Sequence, residues 1–222
     1  MIVVLQCEIC VCPTPYPTGI VKPSRPRSKW LWRNSTPPGC CPVSYLAGGT
    51  GLALHLGHRR SVDLDLFRQA AFSAEHLVLK LQALGNIRIR QIEPGTVHFD
   101  LRETRASLLH YSYPLLFPLQ RFGTLDVADP REIACMKVSA IASRGTRRDF
   151  IDLYVVAQTH GLHQILDWFQ RKFAGTPYSR VHVLKSLIYF EDAEREPMPH
   201  LLVPLDWHAV KAFFTTEIPR LS

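Results

Sequence analysis

Tyr45-Leu-Ala-Gly48-Gly49-Thr50-Gly-Leu-Ala-Leu-His-Leu-Gly57-His58-Arg59-Arg60-Ser61-Val-Asp63-Leu-Asp65-Leu-Phe67 carries two kinds of local order in one run. Val43-Ser-Tyr-Leu-Ala47 is a short apolar strand that ends on a glycine pair. Gly51 to Leu56 reads as a short helix with Thr50 available as its N-cap. Ser61 to Phe67 then alternates polar and apolar, the period of a half-buried strand. Asp63 and Asp65, at i and i+2, leave the same face of that strand. Two adjacent carboxylates resist burial unless a cation lies between them. A hard divalent ion such as Mg²⁺ takes carboxylate oxygens and commonly joins one or two acids to substrate phosphates. Gly48 and Gly49 let backbone approach a ligand closely, and free amides at a helix start favour phosphate. Strand, Gly-Gly-Thr, short helix, basic loop and D-x-D strand together place a phosphate cradle, cations and a metal-binding pair around one sheet edge.

On either side of this run the chain changes character. Residues 1–42 hold eight of the seventeen prolines and five of the six cysteines. Proline at that density blocks helix and central strand, so the segment reads as a poorly ordered arm. Cys7-x-x-Cys10 is followed by Cys40-Cys41 without a second C-x-x-C, and an unstructured leader is expected there over a zinc site. The arm carries a net charge of +4 of the total +7, which leaves a mildly basic body. Charge alone therefore does not demand a nucleic-acid partner. No apolar run approaches the roughly 20 residues that cross a bilayer, and a cytoplasmic protein without membrane contact is expected.

Downstream, Ser73 caps a helix whose apolar stripe is Ala74, Leu77, Val78, Leu81 and Leu84, stopped by Gly85. Strands are expected at Ile87–Ile92, Thr96–Leu101 and Arg105–Tyr111, and after Pro118 the pattern is helical throughout. Asp129-Pro130 opens a helix to about Arg144. Others are expected at Arg147–Thr159, Leu162–Phe173, Tyr178–Glu194 and Asp206–Ile218. The class is α+β, with the arm at 1–42, a mixed unit at 43–128 and a helical unit at 129–222. His55 and His58 read as surface or loop residues.

The Tyr45–Phe67 run resembles the first motif of the AbiEii/AbiGii-type nucleotidyltransferases, toxins of type IV toxin–antitoxin and abortive-infection systems in the DNA polymerase β superfamily. Tyr111-Ser-Tyr-Pro-Leu-Leu, Lys137-x-x-Ala140, Arg144-Gly and Arg148-Asp149-Phe-Ile-Asp152-Leu-Tyr154 follow in the family's order. The resemblance implies a minimal nucleotidyltransferase fold followed by helices, Mg²⁺, an NTP substrate, an RNA or tRNA acceptor and a cognate antitoxin. Gly48, Gly49 and Thr50 would hold phosphates, with Arg59, Ser61 and Arg144 as further nucleotide contacts. Asp63 and Asp65 would bind metal, Lys137 would meet the triphosphate, and Asp149 would lie near the nucleotide or orient a base.

Asp100 is the candidate third carboxylate of the superfamily, although the following strand carries Ser107 where an acid is expected. The arm stands where the family has a helix leading into the Tyr-Leu-Ala strand; a misassigned start or a truncated copy would account for that. Three outcomes remain open on these residues: an active transferase, a degenerate member that binds nucleotide or antitoxin without catalysis, and a phosphate-binding regulatory domain. At this level Gly49→Val is expected to weaken NTP binding with little change in melting temperature.

Overall fold

The computed structural model describes residues 44–221 except 84, 86 and 124. The expected arm and Leu84 of the helical stripe lie outside the described residues. Seven strands form one mixed sheet: β1 (Ser44–Leu46), β2 (Leu64–Arg68), β3 (Ile87–Glu93), β4 (Thr96–Leu101), β5 (Thr104–His110), β6 (Gln120–Phe122) and β7 (Leu125–Val127). Their order is β3-β4-β5-β2-β1-β7-β6, with β2 parallel to β5, β1 parallel to β7 and the other neighbours antiparallel. β1, buried along its whole length, sits between β2 and β7, so both of its edges are paired.

Eight helices surround the sheet among the described residues: α1 (Gly48–Leu56), α2 (Ala74–Ala83), α3 (Pro130–Ser143), α4 (Arg147–His160), α5 (Leu162–Lys172), α6 (Arg180–Ser186), α7 (Glu191–Glu194) and α8 (Trp207–Glu217). The start signals act as read: Ser73 Oγ accepts from the His76 amide at 3.2 Å, and the Asp129 carboxylate accepts from the Arg131 amide at 2.9 Å. At the head of α4, Thr146 Oγ1 accepts from the Asp149 amide. The Asp149 side chain returns to the same hydroxyl, a close variant of the capping box.

Alternation along β4 sends Val97, Phe99 and Leu101 to one face, where they pack with Leu77 and Leu81 of α2. The opposite parity carries His98 and Asp100 away from α2. A second core joins Tyr45, Ala47 and Leu52 to the helices through Ile133, Val138, Leu153 and Phe169. Phe150 is fully buried at its centre, 5.0 Å from Phe190 and 5.5 Å from Phe214 between ring centroids. Burying one such side chain contributes about 1.5–3 kcal/mol. The helical unit therefore closes over the β1–β2 part of the sheet and leaves one face of β5, β4 and β3 beside an open cleft.

Three local expectations are corrected. The stretch after Pro118 is not helical at once: β6 and β7 form a hairpin, and β7 pairs with β1. Helix 178–194 is broken between α6 and α7. The break lets Leu187 fill the core while Phe190 turns onto Phe150 and Trp207. Finally, β2 begins at Leu64, so Asp63 immediately precedes the strand, and the strand lies inside the sheet rather than at its edge.

Candidate active site

Ala47 leaves β1 with its amide bonded to the Asp65 carbonyl at 3.0 Å, which fixes the glycine turn beside β2. Gly48 then adopts φ +62°, a region glycine enters without a steric penalty. A Cβ there would lie 2.9 Å from Asp65 Oδ2, so the missing side chain is what lets the carboxylate sit against the turn. α1 begins at this point, and the amides of its first turn have no partner within the helix. The turn and both aspartates line a cavity of about 630 Å³ between the sheet and α3–α4.

Asp63 and Asp65 are half-buried, and neither carboxylate is hydrogen-bonded or ion-paired by a described residue. Burial and then the neighbouring Asp63 push the Asp65 carboxyl above the usual carboxylate range, against the pull of Lys137, Arg144 and His98. Two adjacent acids without a protein cation form a donor set suited to a hard divalent ion whose remaining ligands are phosphates or water. No larger cluster of metal-ligating side chains occurs among the described residues.

The other acids are fully engaged. Asp152, 0% exposed, accepts Arg59 Nε and Nη2 at 2.7 and 2.8 Å, His58 Nε2 at 2.8 Å and Lys137 Nζ at 2.6 Å. Burial alone would raise its pKa, but Lys137, Arg59 and His58 outweigh that and hold it far below the usual range. Asp149 accepts Lys137 Nζ at 2.7 Å, Arg144 Nε at 3.1 Å and the Thr146 hydroxyl at 2.6 Å. Burial opposes ionisation here too, and Lys137 and Arg144 overcome it. Three fixed cations, Lys137, Arg59 and Arg144, thus face two carboxylates, leaving a positive excess at the wall of the cavity.

Several assignments change with these contacts. Arg59 lines the cavity, but its guanidinium is clamped on Asp152. The Arg59 backbone forms an isolated antiparallel bridge with Leu201. His58 is buried, not superficial. Thr50 neither caps α1 nor lines the cavity; its hydroxyl donates to the Asp63 carbonyl at 2.5 Å and accepts from the Ser61 hydroxyl at 2.9 Å, holding the D-x-D segment to the helix. Ser61 and Arg144 do line the cavity. Asp100 does not; it pairs with Arg90 at 3.4 Å. Directly beside Asp65 in register stands Ser107, whose hydroxyl is 2.9 Å from His98 Nδ1. Arg90, Arg105 and Arg148 also line the cavity. The R-x-S and H-x-D alternations of β5 and β4 are readable, but only the strand order places them next to D-x-D.

Gly49 shows how tightly the turn is held. A Cβ there would lie 2.2 Å from Arg59 Nη2 and 3.2 Å from Ser61 Oγ. Because that guanidinium is buried on Asp152, Gly49→Ala is expected to lower stability by about 2 kcal/mol or more as well as weaken nucleotide binding. Thermal denaturation alongside NTP titration checks this. It replaces the expectation of an unchanged melting temperature.

Comparison with known proteins gives the family and the fold. The family model described as "Nucleotidyl transferase AbiEii toxin, Type IV TA system" matches residues 109–220, which include Lys137, Asp149 and Asp152 but begin after the D-x-D pair. The uncharacterized protein aq_aa25 of Aquifex aeolicus is 34% identical over 186 residues, spanning 81% of this chain and 88% of that one. Among solved structures, the nucleotidyltransferase toxin MenT4 of Mycobacterium tuberculosis superposes with a TM-score of 0.53 at 15% identity, covering 81% of this chain and 76% of its own. The fold is that of a nucleotidyltransferase, and the chain belongs to the AbiEii nucleotidyl transferase toxin family of type IV toxin–antitoxin systems.

Proposed function

We propose that the chain transfers a nucleotide from an NTP to an RNA acceptor in a Mg²⁺-dependent reaction, and that a cognate antitoxin restrains it. The reading is carried by one observation: two adjacent carboxylates, not ion-paired by any described residue, face a glycine turn inside a basic cavity. Asp63 and Asp65 would hold the ion, which when bound would neutralise charge on the phosphoryl oxygens in transit. The first-turn amides of α1 and the Ser61 hydroxyl would receive the outer phosphates, with Arg144 and Arg148 adding charge from the helical side.

The acceptor hydroxyl oxygen would bond to the α-phosphorus while the α–β phosphoanhydride P–O bond breaks and pyrophosphate departs. Asp149 already accepts three donors and its pKa is depressed, so it is poorly suited to take the proton. It serves instead to aim Lys137 at the cavity. We assign the proton to His98, the one histidine among the described lining residues, oriented by Ser107.

Ser107 beside Asp65, and Asp100 outside the cavity, favour a second reading, a member that binds nucleotide without transferring it. Labelled NTPs incubated with total RNA, with and without Mg²⁺, separate the two. Incorporation that requires Mg²⁺ is the expected result. Saturable NTP binding without incorporation would instead favour the second reading.

A further inference from the structure

The cavity is lined on two sides of the aspartates by different chemistry. On one side stand the glycine turn, Ser61 and the helical cations; on the other stand Ser107, His98, Arg105 and Arg90 of β5, β4 and β3. In a phosphoryl displacement the attacking and leaving oxygens lie roughly in line. With pyrophosphate leaving toward the glycine turn, the acceptor must approach from the β5 side. That side is an uncovered sheet face, because Val97, Phe99 and Leu101 turn their backs to it and pack on α2.

Arg105 is exposed and Arg90 is 44% exposed, so both are open to a ligand. Arg88 stands opposite Asp100 in register on the same strand pair. Glu93, in register with Thr96, shares this face, so Arg88, Arg90 and Arg105 outnumber the two acids Asp100 and Glu93, and the face is complementary to a phosphate chain.

We propose that the acceptor RNA lies with its hydroxyl end over Ser107 and His98 and runs outward across β5, β4 and β3, its backbone phosphates held by Arg105 and Arg90. This rests on the nucleotidyl-transfer reading for the direction of approach. Guanidinium groups suit that role because their fork meets phosphate oxygens in pairs. Sequence is not read by such contacts, so the acceptor is selected by the shape of its end and by length.

The test is equilibrium binding of a short end-labelled single-stranded RNA to the full chain across a salt series, with NTP affinity measured in parallel. Arg90→Glu and Arg105→Glu are each expected to weaken RNA binding roughly tenfold and to reduce the salt slope by about 0.7 per lost contact, with NTP affinity within about twofold. The Lys versions should recover most of the loss, and Arg195→Glu, a charge reversal outside the cavity, should bind as the parent does. Unchanged RNA affinity in both Glu variants overturns the proposal. So does transfer to a protein acceptor by a chain with no RNA affinity. RNA bound as expected but never extended would sink the transfer reading while leaving this docking face standing.

Discussion

Asp152→Ala is expected to remove about 3–5 kcal/mol of stability, a large share of the 5–15 kcal/mol that holds a typical domain. The carboxylate is fully buried under Arg59, His58 and Lys137. Deleting it strands the buried Arg59 guanidinium without its ion-pair partner, whereas Lys137 keeps its pair with Asp149. Asp152→Asn keeps the shape and part of the hydrogen bonding, so its deficit should be smaller. Arg59→Met added to Asp152→Ala should restore some stability, because the stranded charge goes with it.

The sign with pH is fixed by the depressed pKa of Asp152. Its stabilisation is complete above the unfolded value of about 3.9 and declines as pH falls through that value toward the folded pKa. Urea titrations of parent and variant should therefore differ most near neutrality and converge below about pH 4. A variant within about 1 kcal/mol of the parent near neutrality would mean that the network is not a stability element.

How much of this was legible beforehand depends on the range of the interactions. Local signals were readable: the Ser73 and Asp129 caps, the alternation of β4 and the glycine turn all act within a few residues. The closeness of Asp63 and Asp65 follows from their i, i+2 spacing, although the strand itself begins only at Leu64. Long-range pairings were not readable. Nothing near Arg59 announces Asp152, 93 residues away, or the backbone bridge to Leu201.

Asp100 was misplaced for the same reason. Alternation puts it on the open face, but its distance from D-x-D depends on β5 lying between β2 and β4. The three-residue strand β7 has too little pattern to announce itself, and it exists because β1 offers an edge to pair with. His58 looked superficial because a residue after a helix-ending glycine usually is; the segment 200–202 covers it.

Asp65→Asn should have the opposite profile to Asp152→Ala: transfer falls by about 10³-fold or more, while the fold is as stable as the parent or slightly more so. The carboxylate lies in a half-buried site beside Asp63 with no hydrogen-bond or ion-pair partner among the described residues, and burial and that neighbour both raise its pKa. Above its folded pKa the acid is charged in both the folded and the unfolded chain, and the folded one carries the repulsion. As pH falls through that pKa the folded chain takes up the proton and the penalty fades. The amide removes the penalty at all pH, so any gain in melting temperature should be greatest near neutrality. Mg²⁺ adds a second readout, since a ligand that binds only the folded chain raises its melting temperature. Millimolar Mg²⁺ with NTP should stabilise the parent and fail to stabilise Asp65→Asn or Asp63→Asn. A protein whose Asp65→Asn variant melts early, or transfers within about tenfold of the parent, would use this pair as structure, and the metal reading of the cavity would go with it.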